Sequence, residues 1–219
     1  MNTERIDRIM VFIDLRNIVE CGRSFSKKIK PDIKGLVNAT VRERDLVGVY
    51  VFDSAWCGKK SSEPLHDELK SLGFNVFIKR GHDKETHKQK EVDMEMGIQI
   101  VSRAFKNEYD TAIVITGDRD FLPAIENVKK MGKRVEGAGF LQHRSKKLAK
   151  GCNMYGLLDK LPLFYLDQAE QRPASMAVEQ CDATRKRDLT RRVPRLTKRV
   201  LNQVKAMLIS DKIYEEVEA

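Results

Sequence analysis

The chain has 219 residues, 41% hydrophobic and 33% charged, with 41 Lys and Arg against 32 Asp and Glu for a formal net charge of +9. That length buries a full core in one domain with some chain left over, and no run of about 18 apolar residues offers a membrane-spanning helix. A positive surface of this size attracts polyanions, nucleic acid first among them. The opening Met1-Asn2-Thr3-Glu4-Arg5 lacks the basic-then-apolar layout of a secretory signal, and Cys21, Cys57, Cys152 and Cys181 form no CxxC pair. A reducing cytoplasmic setting is therefore expected.

Apolar, β-branched runs alternate with helical patterns along the chain. Ile9 to Ile13 reads as a first buried strand, followed by a helical stretch from Pro31 that carries Ile33, Leu36, Val37 and Val41. Leu46 to Phe52 is a second strand, and Glu63-Pro64 opens a helix with Leu65, Leu69 and Leu72 that Gly73 closes. Phe74 to Ile78 is a third strand. Val92 to Phe105 is helical, with Met94, Ile98, Val101 and Phe105 on one face. Ala112 to Ile115 is a fourth strand, and Asp120 to Met131 a helix with Phe121, Ile125 and Val128 turned inward, closed by Gly132. Val135 to Phe140 is a fifth strand, and Met154 to Leu166 completes the unit with an edge strand. Near-continuous apolar strands separated by helices predict an α/β sandwich around a mainly parallel sheet, spanning residues 1–166. Residues 167–219 differ in composition. Arg185-Lys186-Arg187, Arg191-Arg192, Arg195 and Lys198-Arg199 make them densely basic. After Pro194 a helical stripe of Leu196, Val200, Val204, Met207 and Leu208 follows. A second nucleic-acid contact, packing on the domain, or a homodimer contact through that helix are the roles open to this extension.

Four aspartates occupy positions that matter in such a fold. Asp14 ends the first strand, Asp118 and Asp120 follow the fourth, and Asp93 lies at the expected start of the Val92 helix, where the helix dipole favours a carboxylate. Sites in open parallel sheets form outside the carboxyl ends of the strands, where strand order reverses. If the first and fourth strands are neighbours, these acids converge. A lone Asp after a strand is most often a helix N-cap, which is the plainer reading of Asp14 and Asp120 taken singly. A cluster is different. Two carboxylates about 4 Å apart repel by roughly 4 kcal/mol at an effective dielectric near 20, so a group of them protonates or holds a cation. An all-oxygen donor set suits Mg²⁺ or Mn²⁺ rather than zinc.

Three segments in order carry a resemblance: Val11-Phe12-Ile13-Asp14-Leu15-Arg16-Asn17, Lys90-Glu91-Val92-Asp93, and Ile115-Thr116-Gly117-Asp118-Arg119-Asp120-Phe121-Leu122-Pro123. Together they resemble the NYN domain family, LabA-like relatives of PIN-domain nucleases, over residues from about 8 to 166. The resemblance implies a three-layer α/β/α PIN-like, Rossmann-like domain and metal-dependent ribonuclease activity with Mg²⁺ or Mn²⁺. By motif, Asp14, Asp93, Asp118 and Asp120 correspond to the metal-binding acids. Asn17 corresponds to the Asn that orients water or a phosphate, and Thr116 to a hydroxyl that bonds a neighbouring carboxylate. Leu15 stands where the family places glycine and is expected to narrow the pocket mouth. Gln99 stands where many members carry a further Asp, six residues after Asp93. Arg119 stands where the family is small or polar; it is a candidate phosphate clamp or simply a solvent-facing charge.

Basic loops fall on the same rim as the acids. Lys59 and Lys60 follow the second strand, and Lys79-Arg80-Gly81-His82 with Lys84, Lys88 and Lys90 follow the third. With Arg119 they form a candidate electrostatic funnel for single-stranded RNA, with Trp56 or Phe25 available to stack on a base. His82 and His87 fit no zinc spacing, Glu91 and Glu95 read as helix-surface charges, and Glu136 as structural or exposed. Two other functions fit the same features: an RNA-binding or regulatory module without turnover, and a small-molecule phosphohydrolase.

Overall fold

The computed structural model describes residues 6–25, 29–56, 63–81, 87–160, 164–166 and 214–215. Its main sheet has six parallel strands in the order β4 (Asn75–Gly81), β3 (Asp45–Trp56), β1 (Arg8–Asp14), β5 (Thr111–Ile115), β6 (Arg134–Gly139) and β7 (Met154–Leu157). Near the C-terminus, β9 (Tyr214–Glu215) pairs antiparallel with β7, and β2 (Ile29–Pro31) pairs antiparallel with β8 (Phe164–Leu166) in a separate two-stranded ribbon. Other residues of the basic extension lie outside the described residues, and with them the roles expected for it.

The pleat of each central strand sorts its side chains between two cores. Ile9, Val11 and Ile13 of β1 point to one face, where they meet α1 (Leu15–Phe25), α2 (Ile33–Val41) and α3 (Glu63–Ser71) through Leu15, Ile18, Leu36, Val37 and Leu69. Met10 and Phe12 point to the other face. There they meet α4 (His87–Phe105), α5 (Leu122–Lys130) and α6 (Lys146–Gly151) through Val92, Met96, Ile100, Ile125, Val128 and Leu148. Helices cover both faces, so the fold is the expected three-layer α/β/α sandwich. The expected strands all form. Gly73 and Gly132 close their helices at φ of 81° and 79°, a backbone only glycine takes at little cost.

Three local expectations are corrected. Pro31 lies in β2 rather than opening a helix; Asp32 caps α2, its carboxylate accepting from the Gly35 N–H at 2.8 Å. The helix carrying Asp93 begins at His87, so Asp93 sits in its second turn, beyond the reach of the dipole at the first. The apolar stripe of α4 faces outward at three of its four positions, Val101 packing partly against the core. Met94, Ile98 and Phe105 are 68%, 54% and 82% exposed, whereas Val92, Met96, Ile100 and Ala104 are buried. α4 is apolar on two opposite faces, so periodicity alone cannot tell which one meets the sheet. The reading of Glu136 is settled toward structure. It is buried and forms a fork with Arg44 Nη1 and Nη2, each at 2.9 Å, and accepts from Arg134 Nε at 3.0 Å.

Candidate active site

The chain runs outward from β1 to β3 and β4, then returns to the other side of β1 at β5. The reversal therefore lies between the carboxyl ends of β1 and β5, which pair in parallel from Ile9↔Thr111 to Ile13↔Ile115. Asp14 is the last residue of β1 and only 6% exposed. Oδ1 accepts from the Asn17 N–H at 3.1 Å and Oδ2 from the Thr116 hydroxyl at 3.0 Å. Asp14 is thus the N-cap of α1, the plainer of the two readings, and capping leaves it at the strand end where a site acid is expected. Thr116 does what its motif position implies. It is fully buried, and it also accepts from the Asp118 N–H at 3.1 Å, which ties the two strand ends together.

Asp118 and Asp120 lie on the turn after β5. Asp118 accepts from the Asp120 N–H at 2.9 Å and caps the single 3₁₀ turn Arg119–Phe121, so Asp120 is not a cap. Gly117 is required by packing: a Cβ there would stand 2.2 Å from the carbonyl oxygen of His143. The Gly117 carbonyl in turn accepts from the Ser145 N–H at 3.0 Å, and the Thr116 carbonyl from the Tyr155 hydroxyl at 3.0 Å.

Asp93 reaches the same edge from α4. Desolvation pushes the Asp14 carboxyl up to about 7, with Asp93 and Asp118 raising it further against the hydrogen bonds from Asn17 and Thr116. Desolvation likewise pushes Asp93 up to about 6, with Asp118 and Asp120 adding to it and Gln89 and Arg16 opposing it. Asp14 therefore lies in the field of Asp93 and Asp118, and Asp93 in that of Asp118 and Asp120. Among the described residues no three His, Cys, Asp or Glu side chains converge closely enough to cage an ion by themselves. The donor set still fits a small hard cation. Mg²⁺ is commonly held by one or two carboxylates, the rest of its octahedron being water and phosphate oxygens. Crowded, partly desolvated carboxylates are relieved by such a charge.

The two departures from the family pattern point elsewhere. Leu15 is fully buried in the core beneath α1, so it does not narrow the mouth. Gln99 is about 9 Å along α4 from Asp93 and turned well away from it. It bonds Glu95 and Arg103 in an i,i+4 ladder.

Of the expected basic rim, Lys90 and Arg119 are exposed. Arg80 is exposed but paired with Glu63 at 3.1 Å, which reduces its availability to a phosphate. Lys59, Lys60, His82 and Lys84 lie outside the described residues, as do the side chains of Phe25, Trp56, His87 and Lys88. Sequence reasoning missed Arg16. It is half exposed at the mouth, donating from Nε to Glu20 at 2.8 Å and from Nη1 to Ser54 at 2.9 Å. It also missed the buried pair of His66 Nε2 and Asp53 Oδ2 at 2.7 Å, which joins α3 to β3. Asp53 is a carboxylate that directly follows the apolar run Leu46 to Phe52, and that placement is the signal that could have found the pair. Cys21 and Cys152 are buried, and burial pushes each thiol up to about 12, far above the range in which a reactive thiolate forms.

The model of the NYN domain matches residues 8–158. The chain belongs to the NYN domain family. Its fold is accordingly that of PIN-like nucleases, and no helix among the described residues is long and apolar enough to cross a membrane. Over 88 residues, 40% of the chain, it is 31% identical to the uncharacterized protein MJ0482 of Methanocaldococcus jannaschii. The match spans 33% of that protein's length. Among solved structures, the protein of unknown function VPA0982 from Vibrio parahaemolyticus superposes with a TM-score of 0.61 at 18% identity. The superposition covers 71% of this chain and 94% of that one, and it supports the fold alone.

Proposed function

We propose that this NYN domain is a metal-dependent ribonuclease that hydrolyses phosphodiesters of single-stranded RNA, acting in the cytoplasm. The observation that carries the reading is the crowding of Asp14, Asp93, Asp118 and Asp120 at the β1–β5 reversal, where the buried Asp14 is pushed up to about 7 by desolvation and by Asp93 and Asp118. Asp14, Asp93, Asp118 and Asp120 would hold Mg²⁺ or Mn²⁺, which when bound lowers the pKa of water and neutralises charge on a phosphoryl group. The chain's own residues supply the rest. Thr116 and the Asn17 N–H fix both oxygens of Asp14. The Asn17 side chain, in the first turn of α1, would orient a water or a phosphate oxygen, as its motif position implies. Exposed Lys90 and Arg119 would supply positive charge for the strand.

The test is purified chain with labelled single-stranded RNA and Mn²⁺, beside Asp118→Asn. Asn keeps an oxygen for the Asp120 N–H, so the turn is preserved while the charge is lost. Metal-dependent cleavage that disappears in the variant supports the reading. Binding without cleavage by the unmodified chain replaces it with a binding module, and turnover of a phosphate monoester alone replaces it with a phosphohydrolase. Leu15 and Gln99, the two departures from the family pattern that a binding module could draw on, both point away from the acids.

A further inference from the structure

Asp93 differs from the other acids in how it is held. Asp14 and Asp118 follow strand ends and are fixed by Thr116 and by backbone N–H groups. Asp93 projects from a helix whose start lies well upstream, so its backbone alone leaves its rotamer open. Among the described residues its carboxylate receives one hydrogen bond, to Oδ1 from Gln89 Nε2 at 2.7 Å. Gln89 is one helical turn earlier on α4. Its other amide atom, Oε1, meets the Ser54 hydroxyl at 2.6 Å, and Ser54 meets Arg16 Nη1 at 2.9 Å.

The two ends set the direction of this line. Arg16 can only donate, so Ser54 Oγ accepts from it. The ionised Asp93 carboxylate can only accept, so Gln89 turns its NH₂ toward Asp93 and its Oε1 toward the Ser54 hydroxyl, which donates its one proton there. Glu20 fixes the far end by accepting from Arg16 Nε at 2.8 Å. The line crosses the carboxyl edge of the sheet, from α1 on one face past the end of β3 to α4 on the other. We propose that Ser54 and Gln89 are positioning residues that aim Asp93 at the other site acids. This rests on the metal-dependent reading above. Ser54 and Gln89 are half-buried rather than core, so their bonds contribute modestly to global stability. Partners that orient metal-ligating side chains change metal affinity or activity by roughly 10–100-fold when removed.

The experiment uses the full chain with Ser54→Ala, Gln89→Leu, the double variant and Ser54→Thr, read by Mn²⁺ titration calorimetry, RNA cleavage and thermal unfolding. Ser54→Ala and Gln89→Leu are expected to weaken Mn²⁺ binding about 10-fold and to lower kcat about 10-fold, with KM within about twofold. The double variant is expected to be no worse than Gln89→Leu, because the two act along one line. Ser54→Thr keeps the hydroxyl at a strand end that suits a β-branched residue, and is expected to restore both readouts. Wild-type Mn²⁺ affinity and kcat in Ser54→Ala and Gln89→Leu would overturn the proposal. So would Ser54→Thr behaving like Ser54→Ala, or equal losses in Tm without loss of Mn²⁺ affinity. If the unmodified chain binds Mn²⁺ but cleaves no RNA, the nuclease reading fails while the calorimetry still decides the positioning role. If it binds no Mn²⁺, both fail.

Discussion

Asp14→Asn offers the sharpest test of the site, because it is expected to remove activity and increase stability together. Lifting the Asp14 carboxyl from its ordinary 3.8 to about 7 means that ionising it in the fold costs about 4 kcal/mol more than ionising it in the unfolded chain. The sign follows from proton uptake. Between roughly pH 4 and pH 7 the folded chain keeps a proton that the unfolded chain has lost. Stability from this group therefore falls as pH rises through that window and levels off above it. Asparagine carries no such burden. It can turn its oxygen to the Asn17 N–H and its amide to Thr116 Oγ1, losing about 1–2 kcal/mol of charge-assisted hydrogen bonding. The net expectation, in chelator at pH 8, is a variant about 2 kcal/mol more stable than wild type. For a chain of this size that is roughly 4–8 °C in Tm. Near pH 4 the order should reverse slightly. Urea or thermal unfolding across pH 4 to 8 in EDTA measures this. A stability difference that does not change with pH would refute the burial reasoning. Added Mn²⁺ should raise the wild type and leave the variant, since only a state that binds the ion gains from it.

Other perturbations bear on parts of the same frame. Burial alone would raise the Glu136 carboxyl, but Arg44 and Arg134 outweigh it and hold it below its ordinary value. Its contribution is thus present at neutral pH and lost on acidification through the folded value. Glu136→Gln is expected to cost about 3 kcal/mol at pH 7 by urea unfolding, with the difference from wild type shrinking as acidification protonates the wild-type carboxyl. Gly117→Ala sets a Cβ against the His143 carbonyl, so the turn carrying Asp118 and Asp120 must shift. Cleavage should fall by about 100-fold or more, with a smaller loss in Tm, and unchanged kcat would refute the close-packing account. Phe105→Ser should leave unfolding free energy within about 0.5 kcal/mol, because the ring is 82% exposed; a loss near 3 kcal/mol would mean that the face is covered.

Much of the fold was legible because the strands carry both cores. Residues 9–13 and 112–115 are apolar at every position, which only a strand covered on both faces requires, and the model places helices on both faces of each. Helix orientation was less legible. α4 offers Met94, Ile98, Val101 and Phe105 as an apolar stripe, and Val92, Met96, Ile100 and Ala104 as another, about opposite. The stripe of Val92, Met96, Ile100 and Ala104 is the one that packs inward. The start of α4 was misplaced for a related reason. His87 to Glu91 is entirely polar, so periodicity offers no anchor there and only structure extends the helix. The Ser54–Gln89 line was invisible because it joins residues 35 apart through side-chain bonds that no motif records.

Position in a motif and position in space also separate at the two departures. Leu15 follows Asp14 directly, yet the helix that Asp14 caps carries the next side chain under the sheet edge and into the core. Leucine there adds buried apolar area to α1, which glycine could not, and leaves the mouth alone. Gln99 is six residues from Asp93, which on a helix means well over a turn and a large rotation, so it faces Glu95 and Arg103 instead. A carboxylate at that position would have to act through something other than contact with the four acids. The residues that the proposed chemistry would use are the ones at the β1–β5 edge. Those are Asp14, Thr116, Asp118 and Asp120 from the strand ends, and Asp93 from α4, which Gln89 hydrogen-bonds.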